Sequence, residues 1–290
     1  MSWFILALTT AFFSAALGLE QKRLSDKATP LLLSVLLRLW ALPPLLIIVL
    51  SVHPVWQVQP QYWGYLIMCS FFTGLAAYLA FLAYRLVDFT LAFPLLNFTP
   101  AIALLASWSI NQDHPTLLGA IGVGLIVLGS FWLVSSRHHN TLTPLQRMSA
   151  NKGIAAIMGV AALHAVSGSF DVHGIDASSP LLWTIGLTIT ILLGSSLVLL
   201  VTYKASERKS PKLHWYSAAL GGSIVLMTML FQFLAVHADG HVAYVLAIKQ
   251  LSVILAVLAS WYTVRERPSV TRLLSALVMT IGAIIIGLAH

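Results

Sequence analysis

The segment Leu105-Ala106-Ser107-Trp108 recurs as Leu258-Ala259-Ser260-Trp261. Each copy is followed at the same distance by an acidic residue, a basic or titratable one and a proline, as Asp113-His114-Pro115 and Glu266-Arg267-Pro268. The offset from Leu105 to Leu258 is 153 residues, and at that offset Ala103 meets Ala256, Asn97 meets Gln250, Gly129 meets Gly282 and Ser14 meets Ser167. The chain is a duplication of a unit about half its length. At 59% apolar and 9% charged residues it has no polar coat for a water-facing surface, so the repeated unit is a membrane bundle.

A hydrocarbon core about 30 Å thick needs roughly 20 apolar residues per helix, each helix satisfying its own backbone amides. Ten such spans fit, at 3–20, 29–50, 62–84, 87–110, 116–135, 152–170, 179–202, 213–236, 241–263 and 270–289. They consume most of the chain and leave no room for a sizeable soluble domain. Met1-Ser2-Trp3 supplies no basic leader, so Phe4 to Leu19 is expected to be a first span and not a cleavable signal. The single cysteine, Cys69, lies in an apolar run and reads as a small buried hydrophobe.

Of the 16 Lys and Arg residues, all but Arg38 and Lys249 lie in alternate connections, after spans one, three, five, seven and nine. Basic loops stay on the cytoplasmic side, which predicts both termini outside and explains the net charge of +7 as a topology signal with some attraction to lipid head groups, not as a nucleic-acid surface. Five spans per copy is an odd number, so the second copy enters the membrane from the opposite side. The expected fold is therefore an all-α polytopic membrane protein with ten transmembrane helices in two inverted five-helix repeats, 1–135 and 151–290. The polar stretch 136–150 is a cytoplasmic linker. Inverted bundles share a central volume near mid-bilayer and can exchange conformations, the basis of alternating access.

Polar and helix-breaking residues inside the spans mark candidate function. Pro94 and Pro100 flank Asn97 in span four, and proline removes an amide donor and clashes with the preceding turn, so a kink or opening acting as a hinge is expected there. Membrane helices also tolerate proline for packing alone. Span nine has no matching proline but carries Lys249 beside Gln250, so Asn97 and Gln250 would approach one central volume from symmetry-related helices. Lys249 lies about 8 residues, roughly 12 Å, inside its span, where a charge normally faces water or a partner, and it could attract a substrate carboxylate or phosphate. Arg38 is similarly deep in span two, although its longer side chain can snorkel. His164 is the histidine well inside a span, fit either to carry a proton or to pack as a neutral group.

Tyr78, Tyr244, Gln232, Ser14 and Ser167 complete the candidate cavity lining. The glycines Gly119, Gly122, Gly124 and Gly129 of span five and Gly282 and Gly287 of span ten permit close helix approach, as a pivot or a homodimer face. Carboxylates are expected only near span ends or in connections, with Asp171, His173 and Asp176 in a solvated loop cluster. That disfavours both a proton pump built on a buried carboxylate and an intramembrane enzyme. The dispersed histidines lack metal-ligand spacing, and no catalytic set, metal or cofactor is implied.

The stretch from Asn97-Phe-Thr-Pro100 through Ala106 and Asp113 to Gly119, Gly122 and Gly129, with its second copy through Leu258, Glu266-Arg267 and Arg272 to Gly282, resembles the EamA repeat of the drug/metabolite transporter superfamily. Arg38 matches a position commonly basic in that family. The resemblance implies a ten-helix carrier of the bacterial cytoplasmic (inner) membrane, moving a small metabolite, most readily an amino acid or amino-acid-derived compound, often outward. Sugars, nucleosides, lipid-linked precursors, exchange or facilitated passage, and a non-transporting membrane subunit stay open. The chain departs from the family in having no basic residues at its ends, and in weakening the first acidic-basic pair to Asp113-His114.

Overall fold

The computed structural model describes residues 2–25, 27–87, 95–112, 114–135, 152–202, 215–238, 241–252, 254–255 and 270–288. Among these residues the chain is all-α. The helices are α1 Ser2–Ser25, α2 Pro30–Val52, α3 Tyr62–Leu86, α4 Thr99–Asn111, α5 Leu117–Ser135, α6 Lys152–Asp176, α7 Pro180–Thr202, α8 Trp215–His237, α9 Val242–Lys249 and α10 Val270–Leu288. Six of them, α1, α2, α3, α6, α7 and α8, are long and apolar enough to cross a membrane, and shorter apolar stretches occupy α5 and α10. Their outer faces carry bare hydrocarbon such as Ile5, Ile47, Ile67, Leu200 and Leu288, which only lipid solvates favourably.

Two expected spans differ in form. In the described part of the expected span 87–110, Leu95 is helical and a 3₁₀ turn at Leu96–Phe98 follows it and leads into α4, with Pro100 in the first turn of that helix. There the missing amide of proline is one that helix geometry leaves without a partner anyway, so Pro100 starts α4 instead of bending it. In the described part of 241–263, α9 gives way after 8 residues to a two-residue turn at Gln250 and Leu251, and Ser252, Ile254 and Leu255 are helical again. The second repeated Leu-Ala-Ser-Trp segment, Glu266-Arg267-Pro268, Asp113, Pro94 and the linker 136–150 lie outside the described residues.

The helices pair in a regular way. α1 packs along α8 while α3 packs along α6; α2 meets α7, and α5 meets α10. The tightest of these seams is α5–α10. A Cβ on Gly122 would fall 2.7 Å from the Gly282 carbonyl oxygen, one on Gly282 would fall 2.7 Å from the Gly122 carbonyl, and one on Gly129 would meet Met279 and the Ser275 carbonyl. Backbones can approach so closely only where side chains are absent, which accounts for the glycine spacing read from the sequence. The largest buried cluster gathers α3, α5, α6, α9 and α10 through residues such as Ala76, Ile126, Ile157, Leu246 and Met279, and fixes the two interrupted helices between the seams.

Candidate functional site

The site begins at the two interruptions, which occupy equivalent places at the repeat offset. A helix end leaves carbonyls without partners, and in hydrocarbon each must be satisfied from within the protein. At the end of α9 the Gln250 amide shares its proton between the Leu246 and Ala247 carbonyls, 3.3 and 3.0 Å away, which tightens the last turn. The Gln250 side chain then crosses to the other interruption, where its Nε2 donates to the Leu96 carbonyl oxygen at 2.9 Å. The Leu96 carbonyl already accepts from the Thr99 amide within the 3₁₀ turn, so the Gln250 side chain adds a second bond that ties the two interruptions together. Asn97 has its backbone in that 3₁₀ turn, and its side chain lies outside the described residues.

Beside this junction, the half-buried Lys249 Nζ donates to Gln232 Oε1 of α8 at 2.8 Å. Among the described residues Lys249 makes no ion pair; its contact is a neutral amide. Arg38 of α2 is buried and its Nη1 donates to Met229 Sδ of α8 at 2.6 Å, again a neutral partner. His164, half-buried on α6, lies close enough to Lys249 and Arg38 to feel both charges. The structure therefore gathers Lys249, Gln232, Gln250, Arg38 and His164 from α2, α6, α8 and α9 into one interior region with two cations and no anion in contact with either.

One carboxylate sits near them, contrary to expectation. Asp171 is 6% exposed, because α6 continues to Asp176 instead of ending near residue 170. Its Oδ1 accepts from Trp183 Nε1 of α7 at 3.0 Å, the Cys69 side chain of α3 lies near it, and it acts on Lys249 across the interior. Asp171 therefore belongs to the membrane-embedded part of the bundle and not to a solvated loop. Cys69 is buried, as its apolar run suggests, but it also packs against polar groups, with Sγ 3.8 Å from the Ser167 carbonyl.

The description EamA-like transporter family matches residues 1–135 and 151–288, one match in each half and together nearly the whole chain. The chain belongs to the EamA-like transporter family. It is thus a multi-pass membrane transporter of small molecules through a helical bundle, and not an enzyme. No curated protein matches it. A solved structure titled only as a crystal structure of a protein shares this EamA chain's fold with a TM-score of 0.78 and 15% identity over 100% of this chain and 99% of the other.

The remaining candidates of this EamA protein fall at several depths. Ser167 is buried and its hydroxyl pairs with Thr73 of α3 at 3.0 Å; Ser14 is half-buried on α1. Tyr244 is fully buried, but its hydroxyl accepts from the Thr116 amide at 3.0 Å and its ring covers Gly119, so it anchors the start of α5 to α9. Tyr78, 37% exposed, lines a lateral groove between α2, α3 and α7, away from Lys249. Trp183 and Asp171 form the buried polar pair hardest to read from the sequence. A long apolar stretch reaching Asp176, followed by a tryptophan whose N–H needs an acceptor, was the available signal.

Proposed function

We propose that the protein is a secondary transporter that carries a small polar or zwitterionic metabolite, an amino acid or amino-acid-derived compound, across the cytoplasmic membrane by alternating access, in the direction of export. The observation that carries this reading is the Lys249 ammonium held by the neutral Gln232 amide among interior helices. A cation inside a membrane bundle costs a few kcal/mol unless water or an anion compensates, and a substrate carboxylate is the anion that completes it. Gln250, Asn97 and Arg38 orient the same solute, Asp171 supplies a negative field suited to its ammonium group, and His164 between the cations is placed to couple a proton.

Alternating access follows from two inverted five-helix repeats, 1–135 and 151–290, joined by the linker 136–150 and with both termini outside. The reading is supported by the pairing of helices: exchanging each helix of the first five with its counterpart in the second five turns α1 on α8 into α6 on α3, and returns α2 on α7 and α5 on α10 to themselves. It is supported too by the interruption of α4 and α9 at matching positions, since broken helices at the repeat interface are where carriers bind their solutes.

The test is a thermal-shift screen of the purified chain against amino acids and their derivatives, followed by proteoliposome flux of any hit. A solute that binds the folded state raises the melting temperature, by mass action. Lys249→Met should abolish that shift and the flux while the variant stays folded. Undiminished flux in Lys249→Met and in Asn97→Ala would remove the proposed site.

A further inference from the structure

Away from the Lys249 region, the wall between α2, α3 and α7 is hollowed into a groove of about 1000 Å³ that opens sideways. Its sides are hydrocarbon: Ile67, Phe71, Leu75, Leu82, Ile191 and Val198 line it, with Phe71 65% and Val198 50% exposed. Gly74 and Gly194 provide its width, and a Cβ built on Gly194 would meet no atom within 4 Å. Within a bilayer such a concave apolar surface is filled by acyl chain, since water gains no hydrogen bonds there.

The polar groups of the groove divide sharply between its two ends. Along the hydrocarbon part they satisfy one another, Ser70 bonding to Thr190 and Ser195 to Ser34. At the other end the exposed Arg85 guanidinium closes α3, and Thr29 precedes α2, its Oγ1 buried and without a hydrogen-bond partner. Thr29 occupies the cap position of the 23-residue α2 yet makes no capping bond from its side chain, and Pro30 follows it. The first amides of α2 are then free by helix geometry and carry the positive end of its dipole. A cation, an orphaned hydroxyl donor and a helix N-terminus thus converge on one end of an otherwise apolar trough.

We propose that this groove is a binding site for an anionic phospholipid of the leaflet on Arg85's side. Its phosphate accepts from Arg85 and the first amides of α2, and one acyl chain runs past Leu82, Tyr78 and Leu75. The length fits. From Arg85 to Gly74 is 11 residues of helix, about 16 Å, close to half of a hydrocarbon core of about 30 Å and therefore to one leaflet. The ligand is amphipathic because neither half of the groove suits a free anion or a bare hydrocarbon alone.

The site is separate from the Lys249–Gln232 centre, so its failure leaves the transport reading untouched. The test is native mass spectrometry of the delipidated full chain with phosphatidylglycerol, phosphatidylcholine of the same acyl chains, or inorganic phosphate. Phosphatidylglycerol should be retained about tenfold better than phosphatidylcholine, a charge-assisted hydrogen bond being worth about that factor. Arg85→Ala should bring the two lipids level, and Gly194→Trp, which fills the trough without touching the bundle behind it, should lose phosphatidylglycerol. Should Gly194→Trp fail to fold, Arg85→Ala, an exposed change at a helix end, decides the matter. Equal retention of both lipids by the wild type, unchanged phosphatidylglycerol retention in Arg85→Ala or in a folded Gly194→Trp, or displacement of the lipid by millimolar inorganic phosphate would overturn the assignment.

Discussion

The α5–α10 seam and the α4–α9 junction both join one half of the chain to the other, and they do it by opposite means. Along the seam, Gly122, Gly129 and Gly282 let two uninterrupted helices touch backbone to backbone. At the junction each helix is interrupted by a short turn, and a side-chain amide, Gln250 to Leu96, links the two turns. A close-packed glycine interface has essentially one arrangement, because any slide drives backbone atoms together. A junction of hydrogen bonds and short helical pieces can exchange partners. In the proposed transport cycle the seam is the scaffold, and the junction, with Lys249 and Gln232 beside it, is the part that moves and binds.

Changes that break the seam should have the largest effect. Gly122→Leu forces side-chain atoms into the space of the Gly282 carbonyl and the Ile286 side chain, and should destabilise the bundle by about 3 kcal/mol, seen as loss of the monodisperse species on size exclusion. A well-behaved Gly122→Leu protein would remove the distinction between the two regions. At the polar centre the reverse pattern is expected. Lys249→Met removes an interior charge and should leave the melting temperature unchanged or higher, while solute binding falls about tenfold or more, the worth of one charge-assisted hydrogen bond. A fall in melting temperature without loss of binding would make Lys249 a structural residue.

Asp171 sharpens the comparison, since it is polar like the junction but fixed like the seam. Asp171→Ala leaves the buried Trp183 N–H without its acceptor and should cost about 1–3 kcal/mol, whereas Asp171→Asn keeps an acceptor and should recover most of that in thermal melts. Equal losses in both would show that charge, and not the hydrogen bond, holds α6 to α7. The smallest effect belongs to Gln250→Ala, which gives up one bond to the Leu96 carbonyl, about 1 kcal/mol, in a junction that can recruit other donors.

The long spans, the duplication and the glycine seam were legible in the sequence because each depends on composition or spacing alone. Pro100, read from the sequence as a hinge, stands in the first turn of α4, directly after the 3₁₀ turn. The second was invisible as a break, since Val242 to Lys249 and the residues just after it contain no helix breaker; the ladder tightens to three-residue bonds at Gln250 and Leu251 where the side chains of Lys249 and Gln250 reach Gln232 and Leu96. Asp171 escaped because hydropathy placed the end of the sixth span before it, while the hydrogen bond from Trp183 lets α6 carry a carboxylate inward. Tyr78 and Tyr244 show the limit of residue type: one faces a lateral groove and the other packs against Gly119, and neither direction is encoded by an aromatic at a given depth.

Accessibility of the centre from each side of the membrane tests the carrier account most directly and needs no known solute. Gln232→Cys, at the half-buried partner of the Lys249 ammonium, can be made in a Cys69→Ser background that removes the chain's one cysteine. Sealed right-side-out and inside-out vesicles are then treated with a membrane-impermeant thiol reagent. Alternating access predicts labelling from both faces; labelling from one face alone, under every condition tried, would contradict it.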